Sequence, residues 1–100
     1  MNENITLKAC IDAVEQFHNS FGITNAYSPQ SELNEKDLKL RFELMKEENE
    51  EYLQAAKEGD LIEIADALGD MLYILCGTIL KHGLQHKIED VFKEIQRSNM

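Results

Sequence analysis

The stretch that decides the fold is LIEIADALGDMLYILCGTILK, residues 61–81. Asp60 stands before it as a helix-capping residue, and Glu63 at the third helical position completes a capping-box pattern. Residues 71–80 are apolar almost all round, which is typical of a helix buried centrally or at a subunit interface. The apolar run is too short to span a bilayer. Gly83 follows as a C-terminal stop, so the sequence predicts one long helix over this stretch.

Three further helices are predicted around it, because apolar residues recur at steps of three and four in each segment. They run from about Ile5 to Phe21, from Asn34 or Glu35 to Lys57, and from His86 or Lys87 to Arg97. Residues 23–31 hold the single proline and read as a loop. The predicted fold is all-α: a single domain over residues 1–100, arranged as an antiparallel bundle of four to five helices. The apolar third helix predicts that oligomerisation, at least as a homodimer or a dimer of dimers, completes the bundle.

Composition excludes several classes of protein. The 100 residues are 43% hydrophobic and 29% charged, which is typical of one globular domain. A net charge of −9 argues against a nucleic-acid partner, since such partners are bound by basic patches. Cys10 and Cys76 make no disulfide framework, and Cys76 is expected to be buried. The opening segment MNENITLKAC lacks the basic and apolar regions of a signal peptide, so we expect a cytoplasmic protein without membrane partners.

Two helices carry carboxylates at helical spacing. Residues 46–51 read KEENEE, with Glu47 and Glu51 four apart and Glu48 and Glu51 three apart, so each pair shares a helix face. Such a cluster by itself is usually a solvated face. Asp66 and Asp70 are also four apart, at the entry to the apolar run, where solvation explains a carboxylate poorly.

A short turn at Gly59 and Asp60 joins these helices and can bring the two acidic faces together. Carboxylates that converge from two helices make a hard-oxygen site, which suits Mg²⁺ or Mn²⁺. Such a ligand set indicates metal-assisted cleavage of a phosphoanhydride.

Four segments of the chain resemble the MazG-like all-α nucleoside triphosphate pyrophosphohydrolases, a superfamily that also holds dimeric dUTPases and phosphoribosyl-ATP pyrophosphohydrolase. LMKEENEE, residues 44–51, resembles the EExxE motif, and DALGDMLY, residues 66–73, resembles the helix that carries ExxD. VEQFHNSFG, residues 14–22, and EIQRSNM, residues 94–100, resemble the opening EFH..FG and closing EVHRSNMSK segments of the MazG-like branch. The matches cover nearly the whole chain in the family's order.

The resemblance implies that Glu48 and Glu51 are metal ligands and that Asp70 is the aspartate of ExxD. Glu47 and Glu48 are the implied catalytic carboxylates, Glu47 as a ligand or as the base for the attacking water. The glutamate position of ExxD is Ala67 in this chain. We expect Asp66, one turn before Asp70, to supply the missing metal ligand.

A second alignment takes Glu63 and Asp66 as ExxD. It is less favoured here, because Glu63 already serves as the capping-box partner.

The implied reaction is attack of water on the α phosphate of a (deoxy)nucleoside triphosphate held by Mg²⁺, which gives a monophosphate and pyrophosphate. Such a reaction suits nucleotide-pool house-cleaning. Candidate substrate-binding residues are Asn99, Arg97, His18 and Lys46. Arg41 resembles an ordinary surface cation, and Tyr73 is expected in the core.

Two other classes of protein stay open. A ferritin-type di-metal bundle needs two Glu-x-x-His motifs, and this chain offers Glu15 to His18 alone. A catalytically silent helical adaptor or regulatory subunit is favoured by Ala67 in place of a ligand, since the same fold can carry different functions.

Overall fold

The computed structural model describes residues 5–100 and shows four helices in this part of the chain. They are α1 Leu7–Ser20, α2 Glu35–Glu58, α3 Leu61–Lys81 and α4 Ile88–Asn99. The all-α prediction is confirmed, and α3 has the predicted bounds. Residues 1–4, which open the segment inspected for a signal peptide, lie outside the described residues. No helix within residues 5–100 is long and apolar enough to cross a membrane.

Side-chain caps fix where three of the helices begin. The side-chain oxygens of Thr6, Asn34 and Asp60 each accept a hydrogen bond from the backbone N–H three residues later. These bonds satisfy donors that a helix N-terminus otherwise leaves unpaired. The capping role predicted for Asp60 before α3 is thereby confirmed.

Only half of the predicted capping box forms at the start of α3. Asp60 Oδ1 accepts from the backbone N–H of Glu63 at 3.1 Å, as expected. The backbone N–H of Asp60 donates instead to the carbonyl of Ala55, at 3.1 Å. The turn that ends α2 therefore takes the donor that the Glu63 carboxylate was expected to bind. Capping is no reason to keep Glu63 out of the metal site.

The core is small and lies where α3 packs against α1, while α2 packs along α3 outside this cluster. Cys76 and Leu80 are fully enclosed, which confirms the expected burial of Cys76. The central cluster is made of Ile11, Val14, Cys76, Ile79 and Leu80, with Leu7, Cys10, Leu84 and Ile88 packed at its edge. Helix α4 joins this core through its first residue only.

Much of the apolar surface stays uncovered in one copy of the chain. Leu72 and Leu75 of α3 are 44% and 47% exposed, so one side of the apolar run faces outward. The apolar stripes of α2 and α4 are likewise exposed, namely at Leu38, Leu40, Phe42, Leu53, Val91, Phe92 and Ile95. The expected burial of α3 is confirmed on one side only within a single copy.

The loop between α1 and α2 is tied to the C-terminal end of α3. Backbone N–H groups of Ala26 and Gln30 donate to the carbonyls of Leu80 and His82, each at 2.9 Å. Lys81 Nζ donates to the Thr24 carbonyl at 2.8 Å. These bonds hold the loop as a fixed wall beside the helices.

Candidate metal centre

Three carboxylates converge where α2 and α3 run side by side. Glu48, Glu51 and Asp70 each offer an oxygen, and these oxygens lie within 4.8 Å of one another. Glu48 and Glu51 share one face of α2, because residues three apart lie on the same side of a helix. The Gly59–Asp60 turn sends α3 back along α2, and this brings Asp70 to that face. The convergence predicted from the spacing is present for these three residues.

Glu48 is the electrostatically unusual member of this cluster. Its Oε2 is buried and has no hydrogen-bond partner among residues 5–100. Desolvation raises the pKa of Glu48 to about 7, and the carboxyls of Glu51, Asp70 and Asp66 act in the same direction. A buried acceptor among like charges is costly unless a cation balances it. The donor set, all carboxylate oxygen, fits a hard divalent ion such as Mg²⁺.

A second group of carboxylates adjoins the first through Glu51. A cavity of about 190 Å³ is lined by Glu51 together with Glu63, Asp66 and Ala67, among others. Asp66 therefore stands beside the cluster but lies outside the tight group of three, and its role as a ligand stays a prediction. Glu63 faces the same cavity, so both alignments of ExxD put a carboxylate next to Glu51. Ala67 is 3% exposed and packs between these acidic residues.

The other residues proposed from the resemblance lie apart from this cluster. Glu47 is exposed on α2, outside the group of three. Lys46 lines a shallow groove of α2 with Phe42, Met45 and Asn49. Arg97 forms an ion pair with Glu94 of its own helix, and Asn99 is exposed at the end of α4.

His18 is buried, with 3% of its surface exposed, and its Nδ1 lies 2.6 Å from Asn25 Oδ1. Burial lowers the pKa of His18, an effect only partly offset by the Asn25 bond. Glu15 lines a different cavity, with Asp12, Tyr27 and Glu89 among others. Glu15 and His18 belong to no metal-binding group among residues 5–100. The structure therefore gives the ferritin-type interpretation no support, because its one available motif contributes to no such group within the described residues.

A larger cavity of about 530 Å³ begins one helical turn from the carboxylates. Its walls include Leu44, four residues before Glu48, and Tyr73, three residues after Asp70. The rings of Phe17 and Tyr73 meet edge to face with centroids 5.8 Å apart. Tyr73 is 44% exposed, so the expectation of a core tyrosine is wrong. An aromatic wall beside a carboxylate cluster suits a planar organic group.

Three cations line the same cavity, namely Lys36, Arg41 and Lys81, and none was expected there from the sequence. Arg41 is one of the half-buried lining residues, and Lys81 is buried in an ion pair with Asp37. Lys81 is 6% exposed, although lysine is almost never buried unless it is paired. The one signal in the sequence was spacing, since Arg41 stands seven residues before Glu48 and so lies near its helical face.

Fold and site together define an all-α bundle in which carboxylates from two antiparallel helices meet beside a partly aromatic cavity. The sequence matches the phosphoribosyl-ATP pyrophosphohydrolase family over residues 14–99, and the chain belongs to that family, which is part of the MazG-like superfamily. The predicted family resemblance is confirmed. The family suggests an activity of the nucleotide pyrophosphohydrolase type, and its members are typically metal-dependent.

One relative has a comparable sequence over most of this chain. It is an uncharacterised protein, L479, of Acanthamoeba polyphaga mimivirus, 38% identical over 80 residues. The match covers 75% of this chain and 32% of the viral protein, so it spans about a third of that relative's length.

The raised pKa of Glu48 predicts how the metal-free protein responds to pH. Between the usual value of 4.5 and about 7, the folded state binds more protons at Glu48 than the unfolded state does. The contribution of Glu48 to stability therefore falls as pH rises through this window. Thermal unfolding in EDTA at pH 5, 6, 7 and 8 measures it. Wild type should lose more stability across the series than Glu48→Gln, and equal slopes would contradict the prediction.

Proposed function

We propose that this chain is a Mg²⁺-dependent nucleoside triphosphate pyrophosphohydrolase, which cleaves a (deoxy)nucleoside triphosphate to the monophosphate and pyrophosphate. The observation that carries the proposal is the buried, unpartnered Oε2 of Glu48 among the carboxyls of Glu51 and Asp70 within the described part of the chain. A solvated acidic surface does not explain such an atom. Membership of the pyrophosphohydrolase family supports the reaction type.

The metal ligands in this proposal are Glu48, Glu51 and Asp70, with Asp66 as the fourth carboxylate and Glu63 as its alternative. An all-oxygen set selects Mg²⁺, with Mn²⁺ as a substitute. When bound, the ion neutralises phosphate charge and lowers the pKa of the attacking water. Glu47, exposed beside Glu48 on α2, accepts a proton from that water.

The cavity beside the carboxylates holds the nucleoside. Its wall provides the rings of Phe17 and Tyr73 and the side chain of Leu44, against which a base can stack while the triphosphate extends to the metal cluster. His18 is buried and lines this cavity. Lys46 lies at a different groove, so a role for Lys46 in phosphate binding requires the substrate to extend past the cluster.

A homodimer or a dimer of dimers completes the fold in this proposal. The exposed apolar residues on α2, α3 and α4 form more uncovered surface than an isolated small domain usually tolerates. Arg97 and Asn99 do not line the larger cavity of their own chain, so their proposed substrate contacts need a second copy. Sedimentation equilibrium at tens of micromolar should give a mass of at least two chains, and a pure monomer would contradict the proposal.

The test of the reaction is release of pyrophosphate from a panel of canonical and modified (deoxy)nucleoside triphosphates with Mg²⁺, with Mn²⁺ and with EDTA. We expect pyrophosphate and the monophosphate in equal amounts with either ion, and none with EDTA. Release of inorganic phosphate alone would mean cleavage at another bond.

A silent adaptor or regulatory subunit is the second candidate, and Ala67 favours it, since this buried position carries no ligand atom. No release with any ion, together with no rise in Tm on adding Mg²⁺, would favour the adaptor over the enzyme. A ligand that binds only the folded state has to raise its stability.

A further inference from the structure

We propose that Arg41 reads the base of the substrate and that the preferred substrates carry a keto oxygen on the base where others carry an amino group. This inference rests on the proposed function, because it assigns the group that occupies the larger cavity. It is argued from the N–H groups of Arg41 that have no acceptor among the described residues.

The guanidinium of Arg41 is held in a fixed place by α3. Its Nε donates to Thr78 Oγ1 at 3.0 Å, and its Nη2 donates to the Ile74 carbonyl at 2.7 Å. Gly77 makes room for it, since a Cβ at that position would lie 2.6 Å from Nη2 of Arg41. Two anchoring bonds and a close-packed backbone leave the side chain little freedom to turn away from the cavity.

Several donors of this guanidinium are left over. Arginine has five N–H groups and no acceptor, and the bonds to Thr78 and Ile74 use two of them. Within residues 5–100 the other three have no protein acceptor, and no carboxylate forms an ion pair with Arg41. Desolvation lowers the pKa of Arg41, so this charge is partly removed from water. A half-buried guanidinium in a cavity lining favours a ligand that presents an acceptor.

The position of Arg41 selects the base rather than the phosphates as its partner. Arg41 stands seven residues before Glu48 on α2, a rise of about 10.5 Å at 1.5 Å per residue. The triphosphate belongs at the carboxylates, where the metal is held. The wall between the two ends is apolar and aromatic, made by Leu44, Ile74 and Tyr73 among others. The far edge of a base therefore meets Arg41.

The other buried polar groups of the cavity already have partners, and Lys36, which also lines it, is exposed to solvent. Lys81 Nζ donates to the Thr24 carbonyl and hydroxyl and pairs with Asp37, which occupies its three donors. His18 Nδ1 bonds Asn25, and its Nε2 lies over Gly77 at the same spot as the guanidinium. Among the described lining residues, Arg41 is left as the partly desolvated cation with donors to spare, and we place it against the base. A keto oxygen accepts a hydrogen bond from the guanidinium, whereas an amino group at the same position is itself a donor and cannot accept one.

The sharpest test compares substrates that differ at this group and in whether the adjoining ring nitrogen carries a proton. The pairs are dITP with dATP and dUTP with dCTP, assayed by pyrophosphate release with Mg²⁺. We expect kcat/KM for each keto member to exceed that of its amino partner by at least about tenfold. In Arg41→Gln the keto members should lose most of their rate and the two ratios should fall below about threefold, since an amide can both donate and accept.

A control separates reading of the base from general damage. Lys39→Gln removes a cation two residues away whose side chain is 74% exposed, and it should leave both ratios unchanged. A purely structural role for Arg41 would slow the keto and amino members equally in Arg41→Gln, and this result would overturn the inference. Wild-type ratios near one, or a preference for amino bases, would overturn it even if Arg41→Gln failed to fold.

Binding of the monophosphates dIMP, dAMP, dUMP and dCMP without metal, measured by calorimetry, tests base reading apart from catalysis. The expected result is tighter binding of dIMP and dUMP, lost in Arg41→Gln. If no triphosphate is hydrolysed but this preference is found, the proposed function fails and the base reading stands. If hydrolysis occurs without any keto preference, the proposed function stands and the role of Arg41 fails.

Discussion

Replacing Glu48 by glutamine should reduce metal-dependent pyrophosphate release by at least about a hundredfold, since even groups that only orient metal ligands contribute about 10–100-fold. An amide has the shape of the carboxylate but not its charge, so the loss reports on cation binding. The buried Oε2 of Glu48 has no hydrogen-bond partner within the described residues. A bound cation is therefore the natural partner of this oxygen.

Stability of the same variant should change in the opposite direction. Without metal at pH 8, Glu48→Gln removes a buried charge that Glu51, Asp70 and Asp66 repel. We expect its Tm in EDTA to equal or exceed that of wild type, while the rise in Tm caused by Mg²⁺ disappears.

Glu43→Gln is the matched control for this variant, because it removes an exposed glutamate from the same helix. It should keep both the activity and the Mg²⁺ response. Activity of Glu48→Gln within about threefold of wild type would show that the three-carboxylate cluster is not the metal site, since a lost ligand costs more than that.

Among the glycines of positive φ in the described chain, Gly83 is the one whose replacement by alanine should destabilise the protein most. Gly83 has φ +66°, and a Cβ there would lie 2.1 Å from the carbonyl oxygen of Ser28. The left-handed conformation alone costs an L residue about 1–2 kcal/mol. The clash is with backbone, so the tied loop must shift as well. We expect a loss of about 2–4 kcal/mol, or a fall in Tm of at least about 10 °C.

Gly59→Ala provides the comparison, since Gly59 has φ +68° with nothing within 4 Å of a Cβ. It should lose only the conformational part, about 1–2 kcal/mol. Thermal unfolding of both variants, followed by circular dichroism, gives the difference. Equal losses would mean that the contact between Gly83 and the Ser28 carbonyl does not constrain the loop.

The helices and the first metal ligands followed from the sequence alone, because helical periodicity and capping are local. Residues three or four apart on one helix must share a face, so the pairing of Glu48 with Glu51 needed no tertiary information. The bounds of α3 were set by Asp60 at one end and by the glycine beyond its C-terminus at the other. The short turn between α2 and α3 then made the approach of Asp70 predictable.

The rest depended on which faces the packed helices turn to one another, and local sequence does not encode this. Glu63 was assigned to a capping bond, but the turn ending α2 takes that donor and Glu63 faces the cavity instead. Sequence alone predicted a surface position for Arg41. In the fold its guanidinium packs against Gly77 of α3, where the absence of a side chain leaves room for it. Tyr73 lies in an apolar run, yet it is 44% exposed, because contact with Phe17 of α1 covers only part of its ring. Sequence thus determined the elements and the carboxylate cluster, whereas tertiary packing decided what lines the cavity, because burial depends on contacts between residues distant in the chain.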